Sequence, residues 1–172
     1  MPSGGAAHLT PGTALPQVTL PATDGTDLCV AALAGRSVIA VYPWTGRPGQ
    51  PNPPGWDDIL GAHGSTPELE RFADLHDRFA PHDARVFGLS VQSTDYQREL
   101  VERLRLPFAI LSDAQGAFAG ALALPSFATG GETYLKRLTL VVKDGHISHS
   151  FHPVPDPAVH ADEVLAWLAT HS

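Results

Sequence analysis

Between Ser37 and Tyr42 the chain places Val38, Ile39, Ala40 and Val41 in an unbroken apolar run, the pattern of a strand covered on both faces, and Pro43 stops it. Arg85 to Val91 and the shorter Phe108 to Leu111 read as further strands. Thr133 to Val142 and His146 to Phe151 bracket the turn Lys143-Asp144-Gly145 and predict a hairpin. An earlier short hairpin is predicted where Gln17 to Leu20 and Asp27 to Val30 flank Thr23-Asp24-Gly25-Thr26, with a brief turn through Ala31 to Gly35 after it. Helical spacing takes over at Leu69, Phe72, Ala73, His76 and Phe79. The start signals are Ser65 or Thr66 as N-cap, Pro67 near the first helical position, and Glu68 toward the positive end of the helix dipole. Thr94 with Gln97 reads as a capping box opening a helix to Leu104. Ala114 to Leu122 is a weaker helix because it carries Gly116 and Gly120, and Pro157 to Ala169 closes the chain as an amphipathic helix.

Strands alternating with helices, then a hairpin and a last helix, predict an α/β fold with a mixed sheet and helices on both faces. No internal repeat is present. The 172 residues, 43% hydrophobic and 17% charged, suit one globular domain. Met1 to Gly12 is rich in Gly, Ala, Ser and Pro without periodicity, so residues 1–14 are expected to be a flexible arm and 15–172 the domain.

Eleven Lys and Arg against 18 Asp and Glu give a net charge of −7, the wrong sign for a phosphate backbone or an anionic membrane surface. No apolar stretch approaches the ~20 residues of a membrane helix, and the first 20 residues hold no basic segment followed by an apolar core. The expectation is a cytoplasmic protein that binds neither nucleic acid nor membrane. Cys29 is alone, so no internal disulfide can form and no Cys-x-x-Cys exists for zinc or dithiol chemistry. It reads as a small, half-buried hydrophobe.

Gly46 to Gly64, interrupted by Pro48, Pro51, Pro53 and Pro54, fits no period, and a loop this long inside a small domain points to function. Trp56 within it either pins the loop to the core or lids a pocket beside Ser65. Ser65 sits at a helix N-terminus, where free N–H groups and the dipole suit an anion or an activated nucleophile; read alone, it is a cap. Arg137, if it sits in an alternating strand, shares a largely apolar face with Leu135 and Val141. It therefore needs a carboxylate, with Glu68, Glu70 and Glu132 as candidates, or a bound anion. Asp57 or Asp58, His63 and Ser65 supply the parts of a hydrolase triad, although His-Gly-Ser on one loop seldom lets the imidazole reach the hydroxyl. His146, His149 and His152 could suggest a metal, but strand alternation puts His149 with Ile147 and Phe151 and the other two opposite, so no metal site is expected.

Several segments together resemble the peroxiredoxins of the thioredoxin-like superfamily: Val41-Tyr42-Pro43, Gly64-Ser65-Thr66-Pro67-Glu68, Phe87-Gly88-Leu89-Ser90, Leu111-Ser112-Asp113, and Leu135 to Val142 with Asp144-Gly145. The resemblance runs from about Leu15 to Leu168 and implies a thioredoxin-like central sheet preceded by an N-terminal hairpin. It implies reduction of hydrogen peroxide or organic hydroperoxides, a thiol reductant such as thioredoxin or a low-molecular-weight thiol, a homodimer, and no cofactor. In that family the position of Ser65 holds the peroxidatic cysteine and that of Arg137 an arginine lying against it; Pro43, His63, Gly64 and Thr66 fall where substrate is held. A helix N-terminus and a guanidinium both favour a thiolate, the form that attacks the O–O bond. Serine lacks that chemistry, so the peroxidase step is expected to be inactive as the chain stands, leaving a pocket for a small anion or carboxylate or, more weakly, a serine hydrolase. The family's threonine before the cysteine is Ala62 here, the usual tight loop is stretched, and the resolving position of one branch is Glu70. Either an engineered Cys→Ser replacement or natural loss accounts for Ser65.

Overall fold

The computed structural model describes residues 5–171. An antiparallel pair, β1 (Thr19–Pro21) and β2 (Asp27–Cys29), leads through a 3-10 turn at Val30–Ala32 into β3 (Arg36–Val41). After the Pro-rich loop come α1 (Ser65–Asp74), β4 (Ala84–Ser90), α2 (Thr94–Leu104), β5 (Ile110–Ser112) and α3 (Ala117–Leu122). The remainder is β6 (Ser126–Thr129), β7 (Glu132–Leu135), β8 (Leu138–Lys143), β9 (His146–Phe151) and α4 (His160–Thr170).

The central sheet runs β5-β4-β3-β8-β9, with β3 parallel to β4 and antiparallel to β8. The apolar run of β3 occupies the middle because its two sets of alternating side chains both have a core to enter. Val38 and Ala40 face α1, α2 and α4, packing with Leu69, Phe72, Leu100 and Val164. Ile39 and Val41 face the opposite core, with Leu20 from the hairpin and Phe118 and Leu122 from α3. Helices therefore cover both faces, as the strand and helix order predicts.

The structure departs from sequence expectation at several places. The expected loose arm is, over its described part, built into the fold: Leu9 is buried in the core, Gly12 N–H donates to Ile147 O at 2.7 Å, and Ile147 N–H donates to Thr13 O at 2.8 Å. This pairing occupies the outer edge of β9 near its start, where backbone groups would otherwise stand unpaired; residues 1–4 lie outside the described residues. The long strand expected from Thr133 to Val142 is broken at Lys136-Arg137, because β7 leaves to pair with β6 in a separate two-stranded sheet and Lys136 N–H donates to Pro125 O at 2.8 Å. A β-bulge opposite Val141 and Val142 shifts the register of β9, pairing Val142 with Ile147 and Val141 with His149. Since Val141 and Val142 face opposite cores, His149 lies on the other face from Ile147 and keeps only Phe151 of the two neighbours that alternation assigned to it.

Caps differ as well. Ser93, not Thr94, caps α2, accepting from Tyr96 N–H, while Gln97 is buried and donates to Ser90 Oγ and Leu111 O, each at 3.0 Å. The carboxylate of Asp113 accepts from Phe118 N–H at 3.0 Å and Ala119 N–H at 2.8 Å, so the sequence before Ala117 supplies the start of α3 rather than belonging to it. α1 ends at Asp74, with His76 and Phe79 in or beside short 3-10 turns, although Phe79 still reaches the core beside Phe72.

Candidate functional site

α1 starts at Ser65, and its N-cap is Gly64, at φ 103°. A side chain there would meet a second obstacle, since a Cβ on Gly64 would lie 2.8 Å from Pro157 Cγ. With Gly64 capping, Ser65 is the first helical residue rather than the cap expected from its type. The N–H groups of Ser65 and Thr66 have no helical carbonyl to reach, and Pro67 has none to offer. Ser65 is 3% exposed, and its Oγ has no hydrogen-bond partner among the described residues.

Arg137 emerges from the break between β7 and β8 and is buried. Its Nη1 donates to Glu68 Oε1 at 2.8 Å, while Nη2 faces the carbonyls of His63, Ala62 and Gly61 at 2.9, 3.2 and 3.3 Å. Of the three carboxylates considered from sequence, Glu68 is the partner; Glu70 and Glu132 are exposed. The guanidinium thus ties the start of β8 to α1 and to the loop end that delivers Ser65. Burial raises the Glu68 carboxyl to about 7, with the Arg137 charge and hydrogen bond opposing the rise. Arg137 Nε and Glu68 Oε2 are, like Ser65 Oγ, buried and unpartnered. Of these, Ser65 Oγ is the one whose residue lines a cavity at the start of α1.

Ser65, Gly64 and Thr66 open into a cavity of about 190 Å³, walled also by Trp44, Thr45 and Trp56. Pro43 is buried and does not line it. Trp56 is 4% exposed and packs against Trp44, Phe127 and Tyr134 at ring-centroid distances of 5.4, 5.6 and 5.1 Å. It pins the loop and walls the cavity at once, so the two alternatives for it are not exclusive. The loop is further held at Thr45 O, which accepts from Tyr96 OH at 2.9 Å and Gln92 Nε2 at 3.0 Å.

The other sequence candidates divide. His63 also lines the cavity, yet its Nε2 is turned to Asp57, and both side chains are largely exposed. No hydrogen bond joins His63 to Ser65, so the parts of a triad are present without its relay. His146 is exposed, His149 stacks on Trp167 with centroids 4.9 Å apart, and His152 lines a different cavity. Cys29 is half-buried, its Sγ 3.6 Å from Gln17 Oε1. Sequence reasoning missed Trp44, Phe127 and Tyr134 as wall and support. It also missed His160, which is buried with Nε2 2.8 Å from Thr139 Oγ1 and pushed down to about 4 by burial and by the charge of Arg137. Trp44, directly after Pro43, carried a readable signal, whereas Phe127 and Tyr134 arrive from a distant hairpin and carried none.

The redoxin family model matches residues 10–165. The chain is 26% identical over 166 residues to the chloroplastic peroxiredoxin Q of Sedum lineare, covering 94% of this chain and 79% of that protein. Among solved structures, the peroxidoxin BcpB of Mycobacterium tuberculosis superposes with a TM-score of 0.76 at 26% identity, covering 96% of this chain and 99% of the other. A cysteine-to-serine mutant of Xylella fastidiosa PrxQ has a TM-score of 0.78 over 96% of this chain and 99% of its own; at 21% identity it speaks for the fold alone. The central sheet, its preceding hairpin and the helix that opens at Ser65 are thus those of a known lineage, and the chain belongs to the redoxin family, the peroxiredoxins of the thioredoxin-like superfamily.

Proposed function

We propose that Ser65 stands where peroxiredoxins carry the peroxide-attacking cysteine, and that the chain as written performs no thiol-peroxidase turnover. The observation that carries this reading is the buried, unpartnered Ser65 Oγ in the first turn of α1, with Glu68 of the same turn paired to Arg137, which also holds the His63 carbonyl just before it. A thiol at this position would gain from the free N–H groups and the dipole of α1 and from the guanidinium. In the cysteine form its thiolate would attack one peroxide oxygen, breaking the O–O bond, becoming a sulfenic acid and releasing water or an alcohol. One reductant thiol would then displace the sulfenic oxygen as water to give a mixed disulfide, and a second thiol would attack that disulfide, freeing the cysteine and leaving the reductant oxidised as a disulfide. Gly64, Thr66 and His63 border the substrate and Arg137 orients the loop, while Pro43, buried just past β3, stays outside the cavity lining.

With serine in place, the same pocket is proposed to hold a small anion or carboxylate, because the N–H groups and Oγ remain while the redox step is gone. The hydrolase alternative finds no support, since no base contacts Ser65 Oγ.

The test introduces Ser65→Cys in a Cys29→Ser background and follows one equivalent of hydroperoxide by intact mass and dimedone trapping. Rapid gain of one oxygen and capture by dimedone, absent in the Cys29→Ser parent, is the expected result. A thiol that reacts no faster than free cysteine would overturn the assignment of position 65.

A further inference from the structure

A second cavity, of about 860 Å³, shares only His63 among its lining residues with the Ser65 cavity. Its volume falls within the range of small-molecule sites. Ile59, Leu60, Phe127 and Val154 give it apolar walls, and its polar lining comprises Lys136 and His152 together with Asp57, Asp58, His63 and Arg137. Leu60, at the rim, is wholly exposed, so an apolar ligand would remove its side chain from water.

The charges on the walls are unequally engaged. Arg137, which also borders the cavity, has its charge met by Glu68. Asp57 is turned to His63, and both Asp57 and Asp58 are exposed, where solvent and salt screen them. Lys136 is half-buried and makes no ion pair among the described residues, leaving its ammonium as the uncommitted cation of the apolar part. His152 stands beside it, held below its ordinary range by burial and by the Lys136 charge, and so offers a neutral imidazole that can hydrogen-bond an acceptor.

We propose that this cavity binds an amphipathic organic carboxylate, its head on Lys136 and His152 and its hydrocarbon chain along Ile59, Leu60, Phe127 and Val154. The proposal does not depend on the chemistry assigned to Ser65.

The probe is decanoate, titrated below its micelle concentration into the full chain and followed by calorimetry and by the thermal midpoint. Decanoate is expected to bind and raise the midpoint by an amount that Lys136→Ala reduces, while decylammonium at equal concentration does neither and any shift with acetate, which fits the Ser65 cavity, is the same in the parent and in Lys136→Ala. Lys136→Ala should weaken binding about tenfold and Lys136→Arg less than about twofold. Leu60→Asp, at a fully exposed position that the fold does not need, should also abolish the shift, and Ser65→Ala should preserve it. Decylammonium binding as tightly as decanoate, unchanged binding in both Lys136→Ala and Leu60→Asp, or loss of binding in Ser65→Ala would each overturn the proposal.

Discussion

Replacing Arg137 by methionine removes a charge from a site where both members of the pair are almost wholly enclosed, their side chains 2% and 0% exposed. Two costs of different character follow. The carbonyls of Gly61, Ala62 and His63 and the Glu68 carboxyl lose their guanidinium donors, a pH-independent loss of about 2–3 kcal/mol. Glu68 is also left without the charge that favours its ionised form. Burial already raises this carboxyl from 4.5 to about 7, so its contribution to stability is present at low pH and is lost as pH rises through about 7. Without Arg137 the folded carboxyl stays protonated to higher pH, and the variant keeps losing stability above pH 7 where the parent levels off. The gap between them should be flat up to about pH 6 and then widen by up to about 1.4 kcal/mol per pH unit, reaching about 5 kcal/mol near pH 9. Urea unfolding followed by tryptophan fluorescence at pH 6 and pH 9 measures it, and Glu68→Gln in both backgrounds should flatten the difference. A gap that is the same at both pH values, or that Glu68→Gln leaves untouched, would refute the reasoning.

His160 should act with the opposite sign. Its pKa in the fold is about 4 against an ordinary 6.5, so the unfolded chain binds more protons between these values, and about 3 kcal/mol present above pH 6.5 is lost as pH falls through 4. His160→Gln should therefore lower stability at pH 7 yet reduce the fall between pH 7 and pH 4.5, as read from urea midpoints; an unchanged fall would count against it. Leu9→Ala should cost about 2–5 kcal/mol in the same assay, because Leu9 is 2% exposed within the core, whereas a residue on a free arm would cost nothing measurable.

How far the sequence could be read depended on whether local pattern and final environment agreed. β3 was legible because an unbroken apolar run has few places to go other than between two cores. β9 was legible as a strand but not in its facing, since one bulge changed the parity of His149 with nothing in His146 to Phe151 to announce it. Ser65 was legible as a helix start, although Gly64 took the cap by adopting a left-handed conformation. For Arg137 the strand alternation that argued for a partner fails at the break between β7 and β8, yet its burial still demands one, and the choice of Glu68 over Glu70 followed from which helical face turned inward.

The sequence alone determined the α/β order, the position of Ser65 at a helix opening, and that a hydroxyl and not a thiol stands there, because these rest on periodicity, turn chemistry and residue type. Only the tertiary structure decided that Arg137 pairs with Glu68 and grips the loop carbonyls, that Trp56 meets Phe127 and Tyr134, and that the N-terminal segment carrying Leu9 is part of the core. Those contacts join residues far apart in the chain, and short-range pattern holds no record of which distant groups will share the free energy of leaving water.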